Sequence, residues 1–280
     1  MSGSVVYSSS CPVVFSEGRA VDMHVHTTHS DGLIRAPDLV AYLKHRNLSA
    51  AVTDHNTITG VEEAYTYPEA AERIIPGIEV SSSDGPHILV YFDRLSDLRT
   101  YYASAVDGHQ GVCPHMATDL STEQIVRDAS EAGGLVIAAH PYGYAMLVRG
   151  VMKAVDAGLV SLDVLTYVDG LEVICGGLSH TLNLRAEVYA TAHNLCMTGG
   201  SDAHTLREVG RAVTTASDAD SVPAFLEQLR QHRTDVVGCE RNPGDNILMG
   251  SQVMSRYIPY VGSGLKVHLL QNFNRLKKKI

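Results

Sequence analysis

Asp22-Met23-His24-Val25-His26-Thr27-Thr28-His29-Ser30-Asp31-Gly32 closes an apolar, strand-like run that begins at Ala20. Side chains two apart on a strand share a face, so His24 and His26 stand about 6–7 Å apart along it. Neutral imidazoles at that spacing can hold one metal ion or a tight cluster of ions. Asp31 adds a hard oxygen donor, and Gly32 lets the loop turn sharply. The plainer alternative is a strand end with exposed histidines, and the rest of the chain decides between the two.

Working outward, residues 18–25 read as the first core strand. Pro37 and Asp38 suit the first turn of a helix that carries Leu39, Val40 and Leu43 at helical spacing. Residues 48–53 read as a short buried strand running into Asp54-His55-Asn56. A helix begins at Thr57 or Thr59 and is interrupted or restarted near Pro68. Residues 74–80 form a strand carrying Glu79, and 87–92 form another after Gly85-Pro86. Residues 93–120 read as part helix and part loop. Ser121-Thr122-Glu123-Gln124 is a capping-box pattern ahead of an amphipathic helix. Residues 135–139 are a fully apolar strand that delivers His140. Residues 170–175 are the next strand and 182–193 a helix. Residues 195–198 form a strand that ends in Gly199-Gly200-Ser201-Asp202-Ala203-His204, and 222–231 form a late helix.

The strands are short and apolar without strict alternation, as expected when both faces are covered. Strands alternating with helices predict a parallel α/β sheet. The candidate ligands fall at or just after strand ends, and in a parallel barrel that rim is where sites form. A barrel of about residues 1–240, with one site at the C-terminal rim of its strands, is therefore expected.

The chain has 280 residues, 45% of them apolar, which is enough for a large core. No run of about 18 apolar residues exists, so no membrane span is expected. The first residues lack a basic leader and are not read as a signal peptide. The five cysteines are scattered, odd in number and without a CxxC pair, which points to small core residues and a cytoplasmic protein. Of the fourteen histidines, His45, His109, His180, His193, His232 and His268 are read as structural or solvated. Net charge is −9, divided into −15 over residues 1–240 and +6 over the basic tail, 241–280. An acidic body argues against duplex nucleic acid as a partner.

The candidate metal ligands are His24, His26, Asp31, His55, Glu79, His87, His140, Asp202 and His204. Asp202-Ala203-His204 repeats the spacing of the first stretch at another strand end. Glu79 within a buried strand is hard to dismiss, because an unpaired buried carboxylate is costly. A single catalytic zinc takes about three protein ligands. Nine suit two or three ions, with Glu79 bridging a pair. Mixed nitrogen and oxygen donors without thiolate point to Mn, Fe or Zn.

These motifs, taken in order, are His24-Val25-His26 with Ser30-Asp31-Gly32, Thr53-Asp54-His55, Gly77-Ile78-Glu79, His140-Pro141 and Gly200-Ser201-Asp202-Ala203-His204. They resemble the motif series of the PHP (polymerase and histidinol phosphatase) family over about residues 20–215. The resemblance implies a distorted (β/α)7 TIM-like barrel, a trinuclear metal site and phosphoesterase activity. Carried over motif by motif, His24, His26, Glu79 and Asp202 would hold one ion and form the catalytic heart. Glu79, His87 and His140 would hold a second ion, with His115 as the substitute for His87. Asp31, His55 and His204 would hold a third. The order and compactness resemble stand-alone members acting on small phosphorylated compounds such as nucleotides.

In the expected mechanism a metal-activated hydroxide attacks phosphorus in line. Arg149 and Arg211 are candidate phosphate-binding residues, because a planar guanidinium matches phosphate geometry; Arg207 and Arg185 are weaker. A metal-dependent amidohydrolase is the competing enzyme class. It commonly bridges its metals with a modified lysine, and here Glu79 takes that place. A non-catalytic, metal-binding regulatory barrel is the third reading. In the tail, Leu265, Leu269, Leu270, Phe273 and Leu276 precede Lys277-Lys278-Lys279. That spacing predicts a basic amphipathic helix docked on the barrel or on a second copy of the chain.

Overall fold

The computed structural model describes residues 3–8, 18–143 and 148–240, with positions 244, 250, 251, 253, 254, 256–262, 264 and 267 beyond them. Ten strands form one sheet: β1 (Val5–Tyr7), β2 (Arg19–Val25), β3 (Ser49–Val52), β4 (Ile74–Ser81), β5 (His87–Tyr91), β6 (Leu135–Ala138), β7 (Gly170–Cys175), β8 (Cys196–Gly200), β9 (Ala212–Ala216) and β10 (Asp235–Gly238). Eight α-helices accompany them among the described residues: α1 (Ala36–Arg46), α2 (Thr59–Ala64), α3 (Ala70–Arg73), α4 (Leu95–Tyr101), α5 (Thr122–Glu131), α6 (Val151–Asp156), α7 (His180–Ala192) and α8 (Val222–Arg230).

The strand order is β1-β10-β9-β2-β3-β4-β5-β6-β7-β8. The stretch β2–β8 curls back on itself. Just past β8, the Ala203 N–H donates to His24 O at 3.1 Å, and His26 N–H donates to Ala203 O at 2.9 Å. The last strand's exit is thereby laid against the first strand of the curl. This is the TIM-like α/β barrel architecture that the sequence predicts, built as a curled ten-strand sheet that continues past β2 through β9, β10 and β1.

Two features depart from a purely parallel reading. β9 runs antiparallel to β2 and β10. β5 runs antiparallel to both β4 and β6. Only residues 82–86 join β4 to β5, too few for the crossover a parallel pair needs. Ser82 N–H bonds to Pro86 O at 2.9 Å across this turn. Strands and helices therefore do not alternate throughout.

Local signals explain most elements. α1 has Pro37 in its first turn, Asp38 near its positive end and Lys44, His45 and Arg46 in its last turn. Asn47 ends it in the left-handed region at φ 50°. α5 carries the capping box of Ser121 and Gln124. One large apolar cluster lies between the sheet and its helices. A second gathers Met23, Leu89, Tyr91 and Ile137 against Val222, Phe225, Leu226 and Leu229 of α8. Leu89 is the cross-strand partner of Glu79, so this second core shares a sheet face with Glu79 and floors the region around it.

No helix among the described residues is long and apolar enough to cross a membrane. Cys113, Cys175 and Cys196 are buried thiols outside any disulfide, while Cys239 is disulfide-bonded, which the scattered pattern gave no reason to expect. Of the tail positions predicted as an amphipathic helix, Leu265, Leu269, Leu270, Phe273, Leu276 and the three final lysines lie outside the described residues.

Candidate metal centre

All nine candidate ligands converge at one end of the curled sheet, and none is more than 7% exposed. β2 ends in His24 and His26, and the loop after it brings in Asp31. The exit of β3 supplies His55, and β4 supplies Glu79. His87 opens β5. Because β5 is reversed, its first residue lies on the rim where its neighbours end, opposite Ser81. His140 follows β6, and Asp202 and His204 follow β8. His140 and Asp202 hold positive φ, 29° and 50°, a strained backbone that clusters at functional sites.

Glu79 is the hub. Its Oε2 lies 3.3 Å from both His24 Nε2 and His26 Nε2, and 3.0 Å from His55 Nδ1. Its Oε1 lies 3.0 Å from His87 Nδ1 and 3.2 Å from His140 Nε2. Asp202 Oδ1 stands 3.3 Å from His26 Nε2 and 3.6 Å from His24 Nε2. On the other flank, Asp31 Oδ1 is 3.2 Å from His204 Nε2, and Asp31 Oδ2 is 3.6 Å from His55 Nε2.

Donor atoms within reach of one another form four overlapping groups: His24/His26/Asp202, His26/Asp31/His204, His26/His55/Glu79 and Glu79/His87/His140. Glu79/His87/His140 is the second set implied by the family resemblance, and His24/His26/Asp202 is the first set without Glu79. On the Asp31 side, His204 and His55 flank the two carboxylate oxygens, and His26 also comes within reach of Asp31 and His204. The His24 and His26 Nε2 atoms face each other at 3.0 Å, two ring nitrogens turned toward the same point.

The donor set fits divalent cations on a specific observation. His26 Nδ1, Asp31 Oδ1 and Glu79 Oε2 are buried with no hydrogen-bonding partner. Buried polar atoms left so are costly unless a cation takes their lone pairs. The charge balance agrees. Burial alone would raise the Glu79 carboxyl, but His55, His24 and His87 hold it well below the usual range. Asp31 and Asp202 are likewise held low against burial by neighbouring imidazoles. Burial opposes charge on His24, yet Glu172, Glu79 and Asp202 outweigh it and raise its pKa. Burial also opposes charge on His204, but Asp31 and Asp202 lift it to about 9. For His87 burial prevails over Glu79, with Arg149 adding to it, and the pKa falls to about 3. Three ionised carboxylates thus hold positive charge on some of the surrounding rings, the place divalent cations would take.

A supporting layer was largely invisible in the sequence. Glu172 on β7 is fully buried; its Oε1 meets His24 Nδ1 at 3.0 Å, and its Oε2 accepts the His140 N–H at 2.7 Å. That contact at Nδ1 leaves His24 Nε2 facing the cluster. Asp22 accepts the N–H groups of Ser201 at 2.9 Å and Gly210 at 2.8 Å, fixing the turn that carries Asp202. Asp54 accepts from Thr27 N at 2.7 Å and from Thr27 Oγ1 at 2.6 Å, anchoring the turn before Asp31. A buried acid inside the apolar run 170–175 was the available signal for Glu172. No motif signalled Tyr257, whose hydroxyl reaches Asp31 Oδ2 at 2.9 Å.

Of the phosphate-binding candidates, Arg149 is buried and its Nη1 lies 2.9 Å from His87 Nε2, at the edge of the cluster. Arg211 lies just before β9, where its carbonyl accepts the Cys239 N–H at 2.9 Å. His87, rather than the substitute His115, stands beside Glu79. His115 sits in the loop before Thr118, its carbonyl 3.3 Å from the Tyr257 hydroxyl.

Comparison with known proteins bears on family and fold. A sequence profile described as PHP-associated matches residues 180–234, a span that includes Asp202 and His204. An uncharacterized protein of Methanocaldococcus jannaschii is 26% identical over 165 residues, covering 54% of this chain and 79% of that one. The 5′-3′ exoribonuclease of Haemophilus influenzae is 38% identical over 80 residues, 26% of this chain and 29% of that enzyme. A Bifidobacterium adolescentis protein assigned as a metal-dependent phosphoesterase superposes with TM-score 0.53 at 20% identity, covering 76% of this chain and 96% of that one. Endonuclease Q, in complex with a 27-mer duplex bearing an abasic lesion at its active site, superposes with TM-score 0.62 at 18% identity, covering 79% of this chain and 60% of that one. At these identities the structural likeness is one of fold.

The expectation that duplex nucleic acid is excluded does not stand, since a fold like this one carries a duplex at its active site. Net charge averages over the whole surface. A nucleic acid meets only the local field at the mouth of a site, which bound cations can reverse.

Proposed function

We propose that the chain is a PHP-type, metal-dependent phosphoesterase acting on nucleotide phosphate esters. One observation carries this reading: both oxygens of the buried Glu79 are shared out, Oε2 toward His24, His26 and His55, and Oε1 toward His87 and His140. A carboxylate so divided would be suited to hold two adjacent cations. We assign two or three divalent ions, Mn, Fe or Zn, to the four overlapping donor groups. Such ions, when bound, supply Lewis acidity toward phosphate oxygens and lower the pKa of water.

The chain's own residues do the rest. Glu172 orients the His24 ring, and its hold on the His140 backbone keeps that ring aimed at Glu79. Arg149, at the His87 edge, is placed to grip a non-bridging phosphate oxygen. The loop through His115 and Met116, with Tyr257, is tied to the edge of the cluster at Arg149 and Asp31. Together with the low exposure of the nine ligands, it suits a phosphate presented singly: a mononucleotide, a nucleic-acid end, or a nucleotide turned out of a duplex. A lysine-bridged amidohydrolase site finds no support among the described lysines. Lys44 pairs with Glu69 at the surface, and Lys153 donates to Gly143 O.

The test, with added Mn, is phosphate release from mononucleotides and 5′-phosphorylated RNA and DNA strands, together with strand cleavage of those strands and of a duplex with an abasic site. Glu79→Gln is expected to lose about 10³-fold or more in kcat/KM together with bound metal. A metal-loaded wild type that gives neither phosphate release nor strand cleavage with any of these substrates would overturn the proposal.

A further inference from the structure

The C-terminal segment brings two side chains to the metal centre that belong to no motif. The Tyr257 hydroxyl lies 2.9 Å from Asp31 Oδ2 and 3.3 Å from His115 O. It has one proton to donate, and the shorter contact, to a carboxylate, is the stronger. Arg256 Nη2 donates to Thr28 O at 2.9 Å and to Ser30 O at 3.3 Å. Those two carbonyls belong to the turn that delivers Asp31. Further along, position 264 comes up against Met116, whose Sδ and Cε would be 3.3 Å from a Cβ placed there. The segment therefore lies across both the Asp31 turn and the loop through His115 and Met116.

Asp31 is divided in an informative way. Its Oδ2 is held by Tyr257, while its Oδ1, with no hydrogen-bonding partner, faces His204 Nε2 at 3.2 Å. A carboxylate pinned by one oxygen presents the other in a fixed direction. Partners behind metal ligands act in this way, and losing one weakens metal binding about 10–100-fold.

We propose that Tyr257 is a positioning residue of the metal centre: it fixes Asp31 so that Oδ1 is offered to an ion shared with His204 and His26, and Arg256 clamps the turn that carries it. The C-terminal segment is then a working part of the site rather than an appendage packed on the barrel. This rests on the metal-centre reading above, but not on the identity of the substrate.

The experiment is a Mn²⁺ titration of the full chain, followed by calorimetry and by elemental analysis after desalting, on wild type, Tyr257→Phe and Arg256→Ala. In Tyr257→Phe one class of ion is expected to bind about 10–100-fold more weakly while the others keep their affinity. Arg256→Ala shifts the same class in the same direction, and excess Mn²⁺ restores the missing ion. Melting in EDTA should be close to wild type for Tyr257→Phe, since the aromatic packing is kept. Unchanged affinities and metal count in both variants would overturn the proposal, as would a loss of EDTA melting temperature with no change in metal binding. A wild type that binds no divalent ion overturns this inference and the metal-centre reading together. Selective loss of one ion from Tyr257→Phe upholds the inference even if no phosphate ester is cleaved, so the two fail separately.

Discussion

Glu172 is flanked by Leu171 and Val173, is fully buried, and spends both oxygens on the backbone and ring of proposed ligands. A carboxylate there can accept both contacts at once. An amide can accept only one, and its NH₂ would face the second donor. Glu172→Gln is therefore expected to weaken metal binding about 10–100-fold, with kcat falling alongside. A metal titration of the variant checks this, and wild-type affinity would show the pair to be incidental. The same residue scale explains His87: its neighbours are one carboxylate oxygen and one guanidinium, and burial decides that it stays neutral. A neutral ring is the form a metal needs.

At the scale of elements, the β4–β5 hairpin does what a parallel crossover could not. It turns the start of β5 toward the rim and sets His87 beside Glu79. α2 serves the site through close packing. A Cβ at Gly60 would fall 1.9 Å from Asp54 Oδ2 and 2.5 Å from Thr27 Oγ1. Gly60→Ala must push on the carboxylate that ties down Thr27 and Ser30, one residue before Asp31. We expect it to cost about 1–3 kcal/mol of stability, the usual penalty for overpacking, and to lower metal affinity as the Asp31 turn shifts. Thermal melting with and without Mn²⁺ separates the two effects; a neutral Gly60→Ala would mean that α2 can slide away.

For the whole molecule, the concentration of charge at one end of the sheet makes metal binding a proton exchange. Without a metal, His204 with a pKa of about 9 is protonated at pH 7, and His24 and His55 are shifted upward as well. Ligation needs these rings neutral, so binding must expel protons. Raising the pH from 7 toward 9 removes the competing proton and tightens binding; lowering it weakens binding. Glu79, Asp31 and Asp202 are held low and do not compete in this range. For the metal-free fold the sign is opposite. Stability from the charged rings is complete below the unfolded histidine value of about 6.5 and is lost as pH rises through about 9. Calorimetry at pH 7 in buffers of different ionisation enthalpy should count net proton release on Mn²⁺ binding. Zero release, with affinity flat between pH 6.5 and 9, would contradict this electrostatic picture.

The sequence by itself determined the class of fold and the nine residues that meet at the rim. Both are local properties: apolar runs of strand length, helix starts such as Ser121, and polar residues placed at strand ends. Which atoms face which was decided only by tertiary structure. His26 reaches both Glu79 and Asp31, and His87 rather than His115 stands beside Glu79, because a reversed strand and a curled sheet set those directions. Glu172 meets His24 across 148 residues of chain, and Tyr257 meets Asp31 across 226. No local pattern encodes such contacts, since their energy is realised only once the sheet has curled and brought distant segments to the same buried point.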